Sequence, residues 1–362
     1  MRCGALTEER KMKKSQEFEL RKKCNDLNAY CGVKDYLYND GPSRGLRAFD
    51  LKNGKNIQMT LLADRGMDIS NFTYKGINIG LNNKVGIRSP YLYVEDAGSG
   101  FLKQFYGGML TTCGITYSGA PGEDNGKMLG LHGPFDNLPA EQACAKVDYE
   151  GDERVIRATA DVREVEVFGT DMVMKREFTL HSESDKLCIK DTVINQSFET
   201  QPVELIYHIN FGYPMLDAGA KCYFNGAKIE PRTDFAAEGL SNYDEMEEPG
   251  VGRDEQCYFF TGYPENGEGF AMLHNEKLGC AAIVSFDAKV LPLLCEWKCM
   301  RAGEYALGLE PTTSGPLNRA EARKLGTLTY LEAGESREYN VSIEMTDDPA
   351  VIEHYKSIAR KA

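Results

Sequence analysis

No apolar run in this chain approaches the roughly twenty residues that a membrane-spanning helix requires. The opening residues, MRCGALTEERKMKKSQEFEL, lack the apolar core of a secretory signal. Positive charge is in deficit, with 42 Lys and Arg against 55 Asp and Glu and a formal net charge of -13. A polyanion is therefore repelled on average, which argues against nucleic acid and anionic membrane surfaces as partners. A small neutral ligand is not excluded. The 11 cysteines contain no CxxC pair. Cys295 and Cys299 come closest, without a second pair to complete a zinc site. They are expected to be reduced, small apolar residues of a cytoplasmic protein. The glycines around 119–133 lack the GKS/T ending of a phosphate-binding loop. No tandem repeat or low-complexity segment is present.

What the chain does contain is alternation. In 204–214, ELIYHINFGYP, Leu205, Tyr207, Ile209, Phe211 and Tyr213 share one parity, while Glu204, Ile206, His208, Asn210 and Gly212 share the other. A period of two with aromatic and β-branched residues predicts a strand with one face in a core. The second face carries His208 and Asn210 side by side, as either a wet face or the floor of a cleft. YALGLEP follows the same logic, with Ala306, Gly308 and Glu310 on one side, so that small residues leave a hollow beside a carboxylate. In LLCEWKCM, Leu294, Glu296 and Lys298 share one face, and Cys295, Trp297 and Cys299 the other. Glu296 and Lys298 are placed to pair with each other.

Runs over 145–151, 154–169, 171–184 and 186–197 predict successive strands at the spacing of an all-β sandwich or barrel. An Asn53-Gly54 turn predicts a hairpin, and Gly66 a bulge or close backbone approach. Asp64, Arg65 and Asp68 are expected to form a local ion-pair cluster. PRTDFAAEG is expected to be a loop holding Arg232 and Asp234. A helix is expected over 16–30, and another at the C-terminus with Asp348 as cap and Pro349 at its first position. His132 sits at a break between Leu131 and Gly133-Pro134, where a histidine is more often structural than catalytic; the same applies to His181 and His274.

Six motifs in order, ADRGMDI, GGMLTTCG, LHGPFDNLPA, ELIYHINFGYPMLD, CEWKCM and LGLEP, make the chain resemble the aldose 1-epimerase (galactose mutarotase-like) superfamily, nearest to its DUF4432 bacterial branch. The resemblance runs from about Gly45 to about Tyr339. It implies an all-β fold, a large antiparallel β-supersandwich with short peripheral helices at the two ends. The expected division is an extension over 1–30, the β domain over 31–346 and a C-terminal helix over 347–362. It also implies a small-molecule sugar substrate and ring opening without a metal or redox cofactor. Glu310 is implied as base, His208 as acid, and His132 as the group that holds or helps protonate the ring oxygen. Arg65, Asn210, Asp234, Glu296 and Lys298 are implied as substrate-binding residues. The chain departs from galactose mutarotases in having ADRGMDI where Asn-Arg-Ile is usual, and in the charges of Glu296 and Lys298. The alternatives are a non-catalytic protein binding a sugar, sugar acid or sugar phosphate, a different sugar isomerase in the same cleft, and a metal held by two histidines and a carboxylate. Oligomeric state is left open, a homo-oligomer included.

Overall fold

Alternating sequence becomes two large antiparallel sheets, with three two-stranded ribbons beside them. The computed structural model describes residues 16–315 and 317–360, so the basic residues 1–14 lie outside the described residues. The first sheet has 11 strands. Its order is Gly32–Leu37, Arg47–Lys52, Ile57–Leu62, Asp68–Tyr74, Leu110–Cys113, Ile206–Phe211, Ala306–Thr312, Leu293–Cys299, Gln256–Thr261 and Lys228–Pro231, with Ile77–Asn78 on Asp68–Tyr74. The second has 8, in the order Glu141–Glu150, Glu153–Val165, Asp171–His181, Lys186–Asn195, Ser336–Thr346, Cys280–Asp287, Glu268–Asn275 and Lys221–Phe224. The four consecutive strands expected over 145–197 are present as a meander.

The sheets share one core. Tyr207, Ile209, Phe211, Leu307 and Leu309 from the first meet a cluster that includes Met174, Phe178, Ile189, Val284 and Ile343 from the second. The core parity expected for the histidine strand holds through Phe211. Tyr213 departs from it: the strand ends at Phe211 and Tyr213 is exposed.

An ionic network fastens the sheets together. Arg176, fully buried in the second sheet, donates to Asp191 on the next strand at 2.7 Å, to Asp68 of the first sheet at 2.7 Å, and to the Gly66 carbonyl at 2.9 Å. It also donates to the Thr112 hydroxyl at 2.8 Å. The Tyr207 hydroxyl donates to Asp191 at 2.7 Å, so the histidine strand is tied to the same guanidinium. The expected local cluster of Asp64, Arg65 and Asp68 does not form. Asp64 pairs with Arg47, Arg65 with Asp136 and Asp68 with Arg176. A glycine turn separates the three: Gly66 has φ +59°, and an added Cβ would strike the Phe135 ring.

The ends carry short helices, and the described residues hold four in all. The N-terminal one is shorter than expected, Gln16–Arg21, followed by a 3-10 turn at Leu27–Ala29. Pro349–Ile358 begins as expected, with the Asp348 side chain accepting from the Ala350 N–H. PRTDFAAEG is partly helical, because Thr233 caps Asp234–Glu238.

Removing one partner of a buried charge pair strands the others without compensation. Arg176→Met is expected to lower unfolding free energy by about 3–5 kcal/mol, measured by urea denaturation. A loss of less than about 1 kcal/mol would mean the network is not holding the sheets.

Candidate functional site

The strand registers place His208 opposite Thr111 on one side and beside Glu310 on the other, while Glu310 lies opposite Cys295. Directly opposed residues share a face. That face is turned away from the shared core, with Ile206, Cys113, Ala306, Cys299 and Trp297 clustered on it. His208 Nδ1 lies 3.2 Å from Glu310 Oε1. Both side chains are buried, at 5% and 4% exposure, and neither of those atoms has the alignment of a hydrogen bond. Gly308 makes room for the carboxylate, because a Cβ there would collide with it. The hollow expected over Ala306 and Gly308 is therefore occupied by Glu310 itself.

His132 arrives from a loop rather than a strand. Its backbone has φ +61°, an unusual region for a side-chain-bearing residue, and its N–H donates to the Gly119 carbonyl at 2.9 Å. This turn brings its ring to 5.8 Å from that of His208, edge to face. Aromatic side chains enclose both rings. Phe101 lies 4.8 Å from His132, while Phe105 and Trp297 lie 5.1 and 5.3 Å from His208. Phe101 and Phe105 come from the irregular region 82–106, which is organised by one carboxylate. Glu95 accepts from the backbone N–H groups of Asp96, Gly98 and Gly100 and from the Tyr93 hydroxyl. The Leu131 N–H then donates to the Gly98 carbonyl, joining this roof to the His132 turn.

Burial sets the protonation states. It lowers His208 to about 4 and His132 to about 3, with His208 adding to the shift of His132. It pushes Glu310 well above the usual carboxylate range, against the opposing charge of Arg232. Burial thus favours the neutral form of both imidazoles and the protonated form of the carboxyl.

The other expected ligand residues fall differently. Asn210 lies on the His208 face, fully buried; its amide donates to the His208 carbonyl at 2.8 Å and its Oδ1 is unpartnered. Arg65 is not at the cleft. It is fully buried and donates to Asp136, to the Arg88 carbonyl at 2.8 Å and to the Gln104 carbonyl at 3.1 Å. Glu296 and Lys298 are also displaced, by strand parity: Trp297 faces the cleft, so they face the opposite side. Lys298 there donates to the Asn242 and Glu245 carbonyls and pairs with Glu247 rather than with Glu296. Asp234 is exposed on its short helix.

Arg232, two residues before Asp234, is the arginine at the rim. Its N–H donates to the Cys257 carbonyl, its guanidinium pairs with Glu255 at 2.9 Å, and its charge bears on both His132 and Glu310. Trp297 Nε1 donates to the same Glu255 at 2.7 Å. Glu204, on the His208 face but nearer Ser118, Ser314 and Arg319, is pushed by burial up to about 7. No signal in the sequence marks Phe101, Phe105 or Glu255 as neighbours of the histidines. Alternation does assign Trp297 to the Cys295 face.

Open grooves of about 610 Å³ and 550 Å³ lie elsewhere, the first lined by Val33, Phe49 and Tyr149, the second by Asp50, Thr60 and Asn71. The imidazole cluster is the better site because its buried titratable atoms lack partners. Among the described residues, no group of three or more His, Cys, Asp or Glu side chains is arranged to hold a metal ion. No described helix is long and apolar enough to cross a membrane.

A family model described as "Domain of unknown function (DUF4432)" matches residues 43–345. No curated protein matches the chain. Among solved structures, a Klebsiella pneumoniae protein provisionally called an aldose 1-epimerase superposes with a TM-score of 0.85 at 24% identity, over 90% of this chain and 86% of that one. A galactose mutarotase-like protein from Clostridium acetobutylicum gives 0.60 at 15% identity, covering 89% of this chain and 100% of that one. Galactose 1-epimerase from Lactobacillus acidophilus gives 0.58 at 12%, covering 87% and 98%. The shared fold is the galactose mutarotase-like β-sandwich.

Imidazole NMR titration checks the electrostatics. The His132 and His208 rings are expected to stay neutral from pH 8 to pH 5. Ordinary titration of both rings would overturn the burial argument.

Proposed function

The chain belongs to the DUF4432 family, and we propose that it is an aldose 1-epimerase-like isomerase, interconverting sugar anomers by acid–base ring opening. The observation that carries this reading is the His208–Glu310 pair, 3.2 Å apart and buried, with His132 beside it. The names of the Klebsiella and Lactobacillus structures agree with it.

Anomer exchange removes a proton from the C1 hydroxyl and delivers one to the ring oxygen. The C1–O5 bond breaks, the C1–C2 bond rotates, and the ring recloses with the proton movements reversed. The reaction needs one acceptor and one donor, and the pair holds a single proton between its two members. With that proton on the imidazole, Glu310 is the base and His208 the acid. Burial favours the proton on the carboxyl. Hydroxyl groups of a bound sugar supply the polar contacts that stabilise the ion-paired arrangement. His132, kept neutral, hydrogen-bonds the ring oxygen and assists its protonation. Asn210 braces the histidine strand through its amide, which donates to the His208 carbonyl, and Trp297 offers a ring face to sugar C–H groups.

A positioned acid or base contributes roughly 10²–10⁴-fold. Glu310→Gln and His208→Asn are each expected to lower kcat for anomer exchange by about that factor, read by saturation-transfer NMR across a sugar panel. Equal rates in wild type and both variants, for every sugar that binds, would end the proposal.

The pH profile of kcat/KM is expected to be bell-shaped. On the acid side, protonation of His208 near about 4 leaves two protons on the pair and no acceptor. On the alkaline side, loss of the Glu310 proton leaves no donor, at a pH above the ordinary carboxylate range. A profile flat across both limbs would contradict a one-proton pair.

A further inference from the structure

The registers draw a map of the cleft floor. Thr111, His208 and Glu310 lie in one row across three neighbouring strands, and the same row continues through Cys295 to Phe259. The next row runs from Asn210 through Gly308 and Trp297 to Cys257. Polar groups therefore gather at one end, and the floor beyond Glu310 is aryl and thiol, with Cys257, Phe259 and Cys295 all buried. The roof is also apolar, since Phe101 and Phe105 stack on each other at 5.1 Å above the imidazoles.

The free hydrogen-bonding capacity of the cleft is small. Its polar groups are few: the two imidazoles, the Glu310 carboxyl and the fully buried Asn210 amide. Three of these belong to the proton-transfer groups. The Thr111 hydroxyl is already committed to the Gly107 carbonyl at 2.7 Å. Arg232 and Glu255 at the rim, bound to each other, remain for ring hydroxyls.

In an aldopyranose the carbon bonded to the far side of the ring oxygen is C5, so its exocyclic C6 group sits beside the atom that receives the proton. Phe101 lies 4.8 Å from His132, and Phe105 and Trp297 lie 5.1 and 5.3 Å from His208, so a group next to an oxygen served by either imidazole has aromatic neighbours. A methyl group there buries apolar surface. A hydroxymethyl group would bury a hydroxyl among side chains that accept poorly or not at all. Granted the ring-opening reading of the site, on which this rests, we propose that the cleft is built for 6-deoxy aldoses, sugars whose C5 carries a methyl group.

An apolar pocket rejects an added hydroxyl by a factor on the order of 10² at most. The test uses matched pairs with the wild-type protein: D-galactose with 6-deoxy-D-galactose, L-galactose with 6-deoxy-L-galactose, and L-mannose with 6-deoxy-L-mannose. Anomer exchange is read by saturation-transfer NMR. Within any pair that is accelerated, kcat/KM is expected to be about 10- to 100-fold higher for the 6-deoxy member. Phe105→Tyr, which adds a hydroxyl to the roof, is expected to shrink that ratio. Acceleration of a hexose as fast as, or faster than, its 6-deoxy partner overturns the assignment of substrate class and leaves the ring-opening reading standing. Acceleration of another aldose with none of these six overturns the substrate class alone, and absence of acceleration across the wider sugar panel overturns both.

Discussion

One guanidinium under the sheet decides where the imidazole and carboxyl on top of it can be. Arg176 is shared among Asp68, Asp191, Thr112 and the Gly66 carbonyl, and through Asp191 with Tyr207. Tyr207 and His208 are consecutive, so fixing one beneath the sheet fixes the other above it. Thr112 and Thr111 repeat the relation on the neighbouring strand. A buried charge left partly paired is expensive, so this network admits one relative placement of the two sheets. The imidazole and carboxyl above inherit that placement.

The cleft works in the opposite electrostatic regime. Beneath the sheet, charges are matched at 2.7 Å; above it, the titratable atoms are left without partners. Burial without pairing favours neutral imidazoles and a protonated carboxyl. Such groups respond strongly to the arrival of a polar ligand, because the ligand supplies what the protein withholds. The aromatic roof sustains this condition by excluding water, and Glu95 holds the roof in shape through three backbone N–H groups.

Strand alternation made much of this legible. His208 and Glu310 were placed on the non-core faces of their strands by parity alone, and the four-strand meander by its spacing. Parity also separates Trp297 from Glu296 and Lys298, but it does not say which side faces the cleft. That depends on the pairing of Leu293–Cys299 with Ala306–Thr312, a long-range fact. Arg65 illustrates another limit. Its partners Asp136, Arg88 and Gln104 are spread over the chain, and no local pattern announces that they converge. Phe101 and Phe105 were hidden for a related reason: they sit in a segment whose order comes from one carboxylate and some turns, not from a periodic element.

Arg65 also bears on how this molecule can diversify. Its guanidinium ties together three distant segments, so exchange at that position would loosen the framework before it altered recognition. Arg232 and Glu255 hold each other at the mouth, with exposed side chains and few obligations to the interior. Exchange at Arg232 or Glu255 is therefore expected to disturb the framework less than exchange at Arg65.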